Sequence, residues 1–226
     1  ALRSGGTLAG RALGDAGDAA AQQAIGAVLA AERPDDAVLS EEAADDHRRL
    51  SARRVWIVDP LDGTREYGED GRSDWAVHVA LWVDGDLATA AVALPALDEV
   101  LLTEPAPMVP AAHGGPVRIA VSRTRPPAAA EAVAAALGGE LVPMGSAGYK
   151  ALAVVRGEVD AYVHAGGMYQ WDSAAPVAVA RAAGLATSRL DGAPLVYNAE
   201  ALALPDLVVC RPELAPRILA AVRAAG

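Results

Sequence analysis

Two aspartates, a glycine and a threonine stand together in VWIVDPLDGTRE (55–66), where an apolar run comes to the surface. Asp59 and Asp62, with a backbone carbonyl between them, are hard oxygen donors. Magnesium takes such ligands in small number and leaves room for water and phosphate. Gly63 lets the backbone approach a ligand closely, and residues 63–66 can open a short helix whose free N–H groups form an anion site. The same five residues also read as an exposed Asp-Pro-x-Asp-Gly turn. The buried-looking strand before them and the threonine behind them favour the metal reading. Two further acids stand at comparable places. Glu41 follows the short apolar run AVLS, where a strand would deliver it to the same edge as Asp59; a solvated acidic loop is the alternative. Asp172, in QWDSAAPVAVARAAG (170–184), stands at the start of a clear helix, where it either caps the helix or aims a carboxylate into a shared cleft.

These residues need elements to hold them. Residues 1–14 are Gly-rich and read as a loop that could lie over the cleft, with Asp18 capping a helix that Arg33-Pro34 ends. Short strands are expected at 37–40 and 55–59, the latter apolar enough to be covered on both faces. The runs 75–83 and 87–94, joined by Asp84-Gly85-Asp86, predict a hairpin, with a third strand over 99–104. The Pro/Gly-rich stretch 105–116 is the best boundary. It divides an α+β half (1–105) carrying most of the acids from an α/β half (116–226). In the second half, strands at 117–122, 140–144, 160–164, 185–190 and 204–210 alternate with helices at 127–137, 147–155, 172–183 and 213–224.

Composition narrows the function classes. Nineteen basic against 29 acidic residues give a net charge of −10, so a global positive field for a nucleic acid polymer is absent. An acidic protein that handles anions needs metal ions or local cations, and Lys150 is the sole lysine. The single cysteine, Cys210, excludes an intramolecular disulfide and sits in a buried-looking strand. No apolar run is long enough to cross a bilayer and no signal peptide is visible, which predicts a cytoplasmic, membrane-free protein. With four Trp, five Tyr and no Phe, the core must come from Ala, Val and Leu.

Taken together and in order, LSEEA, WIVDPLDGTREY and WDSAAPVAVARAAG closely resemble the inositol monophosphatase-like superfamily of magnesium-dependent, lithium-inhibited phosphatases. The resemblance runs from about Asp18 to the C-terminus and implies a five-layered α-β-α-β-α sandwich. It implies two or three Mg²⁺ ions held by Glu41, Asp59, the Leu61 carbonyl, Asp62 and Asp172. It makes Thr64 the hydroxyl that activates the attacking water, with Asp18 as its acidic partner and Asp15 as the fallback. The N–H groups of Gly63 and Thr64 would hold phosphate. Within the superfamily, DPLDGTREY is most similar to the CysQ-type 3′-phosphoadenosine-5′-phosphate phosphatases. VSRTR (121–125) and GSAGYK (145–150) resemble their substrate segments and suggest Arg123, Arg125 and Lys150 around a second phosphate. For Lys150 a surface position on a helix is the alternative. The implied activity is hydrolysis of a small phosphate ester, 3′-phosphoadenosine 5′-phosphate first, with inositol 1-phosphate and fructose 1,6-bisphosphate as alternatives. The superfamily is usually dimeric.

Two other readings compete. A haloacid-dehalogenase-type phosphatase needs its aspartates one residue apart near the N-terminus; here two residues separate them in mid-domain. A non-catalytic metal- or nucleotide-binding module should have lost Thr64 or a ligand, and none is missing. His78, alternating with apolar residues in its strand, reads as structural.

Overall fold

The computed structural model describes residues 2–3 and 5–225. Helix α1 (Gly10–Glu32) leads into β1 (Ala37–Ser40), β2 (Arg54–Asp62) and the short α2 (Thr64–Gly68). Strands β3 (Ala76–Val83), β4 (Asp86–Leu94) and β5 (Glu99–Leu102) complete a sheet of order β1-β2-β3-β4-β5. Only β1 and β2 run parallel; the remaining pairs are antiparallel. The second half supplies β6 (Arg118–Ser122), α3 (Ala128–Leu137), β7 (Glu140–Met144), α4 (Ala147–Val155), β8 (Ala161–Tyr169), α5 (Gln170–Ala182), β9 (Ala186–Ser188), β10 (Ala203–Cys210) and α6 (Ala215–Ala225). Its sheet has the order β7-β6-β8-β10-β9.

The layers follow from which faces are apolar. The larger core cluster joins Val55, Ile57 and Val92 of the first sheet to α4 and α5, and these in turn to Tyr162, Leu207 and Val209 of the second sheet. The opposite face of the second sheet, with Ile119, Val121, Val163 and Val208, is covered by α3 and α6. Helix α1 covers the outer face of the first sheet beside Trp56 and Val79. The result is the expected α-β-α-β-α sandwich. β2 is apolar at successive positions because it is sandwiched on both faces. The sheets are encoded on either side of the 105–116 connection, yet one core crosses that boundary through α4 and α5.

Three local expectations need correction. The helix expected after Asp18 begins at Gly10, so Asp18 is not its cap but a buried residue within it, and residues 10–14 are helical rather than loop. The reason is tertiary: a Cβ at Gly14 would come within 2.8 Å of Thr64, so the glycines that suggested a loop instead let α1 lie close against α2. Strand β2 does not stop at Asp59 but continues to Asp62. Helix α5 starts at Gln170, which moves Asp172 from the cap into the first turn.

Candidate metal centre and substrate cleft

The spacing of Asp59 and Asp62 is explained by the register of β2 against β3. Asp59 pairs with His78 and Asp62 with Ala76, so three steps on β2 match two on β3. In a regular strand residues three apart face opposite ways. One extra residue, a β-bulge, returns the second aspartate to the same face as the first. Pro60 is tolerated here because bulges lack the ladder hydrogen bond it cannot donate. The Leu61 N–H donates to Asp59 Oδ1 at 3.1 Å and fixes that turn. Gly63 follows with φ +87°, and a side chain on it would press on Ser146 and Trp75. Only glycine suits that position. Helix α2 then begins at Thr64.

The other acids arrive from three separate elements. β1 runs parallel to β2 with Ser40 opposite Val58, and the Glu41 N–H donates to the Val58 carbonyl at 3.3 Å. Glu41 therefore emerges beside Asp59. Asp172, in the first turn of α5, accepts the Tyr169 N–H at 2.6 Å. Asp18, from α1, has Oδ2 3.3 Å from the Thr64 hydroxyl, which also lies 3.0 Å from the Leu61 carbonyl. Asp15 is on the exposed side of the same helix and pairs with Arg11. Asp62 is the most heavily hydrogen-bonded of the set. It accepts from the Ser146 hydroxyl at 2.6 Å and from the N–H groups of Ala147 (3.1 Å) and Gly148 (2.5 Å), at the start of α4.

The acids repel one another. Burial, then Asp62, Glu41 and Asp172, push Asp59 well above the usual carboxylate range. Burial and Asp62 raise Asp172 to about 7. Burial and Asp18 raise Glu41 to about 7, and burial and Glu42 raise Asp18 to about 6. Asp59 Oδ2 and Asp18 Oδ1 are buried with no hydrogen-bond partner among the described residues. Hard oxygen donors, mutual repulsion and orphaned lone pairs are what a divalent cation would relieve. The residues present fit magnesium.

The expected substrate cations behave differently from one another. A cleft of about 330 Å³ opens beside the acids, lined by Gly63, Arg125, Ser146, Lys150, His164 and Asp172 among others. Arg125 stands exposed at its edge. Arg123 is committed: it donates to Glu66 at 2.6 Å and Glu69 at 2.7 Å, tying the second half to α2. Lys150 is neither a surface lysine nor a free one. It is buried and donates to the carbonyls of Gly145 (3.3 Å) and Ser146 (2.5 Å), with its ammonium 5.3 Å from the Tyr162 ring centre.

Three residues of the site escaped sequence reasoning. Ser146 holds Asp62, and the GS pair before α4 was its only signal. Glu66 grips Arg123 and lies within the DGTRE run itself. His78, read from its strand pattern as structural, is completely buried against Asp59, Asp62 and the Trp171 carbonyl, and what escaped was its place among the acids.

Comparison with known proteins bears on the family and the fold. A family model described as the inositol monophosphatase family matches residues 12–226. A 3′-phosphoadenosine 5′-phosphate phosphatase of Mycobacterium leprae (strain TN) is 53% identical over 225 residues, covering 94% of this chain and 83% of that protein. Among solved structures, CysQ from Bacteroides thetaiotaomicron, a bacterial member of the inositol monophosphatase family, superposes with a TM-score of 0.74. It is 26% identical and covers 85% of this chain and 83% of that one. A dual specific IMPase/NADP phosphatase bound with D-inositol-1-phosphate shares the fold at TM-score 0.80 and 18% identity, covering 93% and 84%. No described helix is long and apolar enough to cross a membrane.

Proposed function

The chain belongs to the inositol monophosphatase family, and on that premise we propose that it is a magnesium-dependent phosphomonoesterase that hydrolyses 3′-phosphoadenosine 5′-phosphate to AMP and phosphate. The observation that carries the reaction type is the gathering of Asp59 and Asp62 of β2 with Glu41 after β1 and Asp172 of α5, with Asp59 Oδ2 left unpaired in the interior. The substrate rests on the 53% identity to the mycobacterial phosphatase across nearly the whole chain.

Glu41, Asp59, Asp62, Asp172 and the Leu61 carbonyl would hold two or three magnesium ions. Bound there, magnesium supplies the positive charge that acidifies a water and neutralises the phosphoryl oxygens and the leaving oxygen. The chain's own groups do the rest. Thr64 orients the water through its hydroxyl, and Asp18 accepts the proton, its pKa of about 6 lying near working pH. The first N–H groups of α2, from Gly63 and Thr64, have no helical acceptor and hold the phosphate. The bulge and the Asp62 contacts to α4 keep the carboxylates from drifting apart under their own repulsion. Arg125 at the cleft mouth would meet the second phosphate. Lithium should inhibit by competing for the same oxygens.

Phosphate release from 3′-phosphoadenosine 5′-phosphate, inositol 1-phosphate and fructose 1,6-bisphosphate, with and without magnesium, tests this reading. Magnesium-dependent turnover highest on the nucleotide, abolished in Asp59→Asn, is expected. Tight nucleotide binding without turnover would instead identify a binding module, and preference for either sugar phosphate would reassign the substrate.

A further inference from the structure

His78 sits where the elements that carry the acids meet. It is fully buried in β3, directly opposite Asp59 in the ladder. Its Nδ1 lies 3.2 Å from the carbonyl of Trp171, the residue before Asp172. A carbonyl can only accept, so Nδ1 carries the proton of the ring. Nε2 lies 3.4 Å from Asp62 Oδ2 and has no hydrogen-bond partner among the described residues. That oxygen already accepts from the Ser146 hydroxyl and the Gly148 N–H. The second residue of α4 is glycine for a related reason: a Cβ at Gly148 would overlap Nε2. The imidazole thus fills the joint between β2, α4 and the start of α5.

An apolar side chain could fill that joint equally well. What it could not do is donate to the Trp171 carbonyl. We infer that His78 is a positioning residue for the divalent cations: its Nδ1–H holds the carbonyl beside Asp172 and so sets α5 against the Asp59–Asp62 bulge on β2. The inference rests on the metal reading proposed above. It concerns geometry among the ligands, not ligation by the imidazole.

The isosteres of histidine separate the two ring nitrogens. His78→Asn places an amide N–H where Nδ1 stood, and His78→Gln places one near Nε2. His78→Leu keeps bulk and removes both. Each variant and the parent, stripped with chelator, is titrated with magnesium while thermal unfolding is followed, and kcat and KM are measured at saturating metal. The expected result is that Leu and Gln raise the magnesium concentration for half-maximal stabilisation roughly tenfold or more, while Asn stays within about twofold of the parent. KM should change little at saturating magnesium. Magnesium response of the Leu or Gln variant equal to the parent's would overturn the inference, as would retention by Gln and loss by Asn. If Leu does not fold, Asn against Gln decides; if Asn itself does not fold, the inference fails, since the donor it keeps should suffice. A parent that shows no magnesium response would overturn the metal reading together with the inference, whereas a responsive parent with an equally responsive Leu variant removes the inference alone.

Discussion

The Thr64 hydroxyl faces two acceptors with one proton: Asp18 Oδ2 at 3.3 Å and the Leu61 carbonyl at 3.0 Å. Residues 46 positions apart meet here because α1 lies tightly on α2. If the Leu61 carbonyl serves a cation, as proposed, the hydroxyl is left to Asp18 and its lone pairs to a water. Thr64→Val should therefore lower kcat by about 10²–10⁴ with KM within a few-fold, since the group acts on the water and not on ground-state binding. Thr64→Ser should retain most activity. Steady-state kinetics at saturating magnesium check this, and a Val variant with kcat near the parent's would remove Thr64 from the proton path.

Stability should respond to pH in an unusual direction when metal is removed. Asp18, Glu41, Asp59 and Asp172 all have folded pKa values above their ordinary ones, to about 6 for Asp18 and about 7 for Glu41 and Asp172. A group whose pKa is raised by folding binds more protons in the native state. Its contribution is fully present below the unfolded value near 4 and is lost as pH rises through the folded value. The acids paired with arginine, such as Asp160 and Asp206, shift the other way and lose their contribution only below about 4. Between pH 5 and 8 burial also holds His78 and His164 below the ordinary imidazole value, which favours the fold as pH rises. The four mutually repelling carboxylates should outweigh these two groups, so Tm of the chelated protein should fall as pH rises. Magnesium should raise Tm more at pH 8 than at pH 5, and Asp59→Asn should flatten both trends. A chelated protein whose Tm rises steadily across this window would contradict the clustering of the acids.

Arg125 and Lys150 should separate by the property they affect. Arg125 is exposed at the cleft, so Arg125→Ala should raise KM for the bisphosphorylated nucleotide about tenfold and leave Tm unchanged. Lys150 is a buried strut whose ammonium satisfies two carbonyls beside Ser146. Lys150→Met should cost about 1–3 kcal/mol in urea denaturation, because it leaves buried acceptors unpaired. If Arg125→Ala lowered Tm and Lys150→Met altered only KM, the assignments would be exchanged.

The order of elements was legible along the chain because local patterns encode it. The apolar run 55–58, the Asp84-Gly85 hairpin turn, the Pro/Gly-rich connection and the alternating second half all have their cause within a few residues. Asp59, Asp62 and Thr64 were legible for the same reason, being packed into one short motif. Glu41 and Asp172 could be chosen from many acids only through the resemblance of their surroundings to a known family.

What the sequence by itself determined was therefore which residue types are present and what chemistry they can do. Which residues answer each other was decided by tertiary structure. The bulge that turns Asp59 and Asp62 to one face depends on β3, where His78 and Ala76 set the register. The helical place of Asp18 depends on close packing against Thr64 and overrides the local glycine signal. Arg123 looked free for phosphate until Glu66, 57 residues away, was brought against it. Lys150, read as a substrate contact with a surface lysine as the alternative, has its place set by the burial of its helix between two sheets, where two backbone carbonyls hold its ammonium. In each case the deciding force is a short-range contact, burial or charge, between groups distant in the chain, and such contacts exist only once the layers have packed.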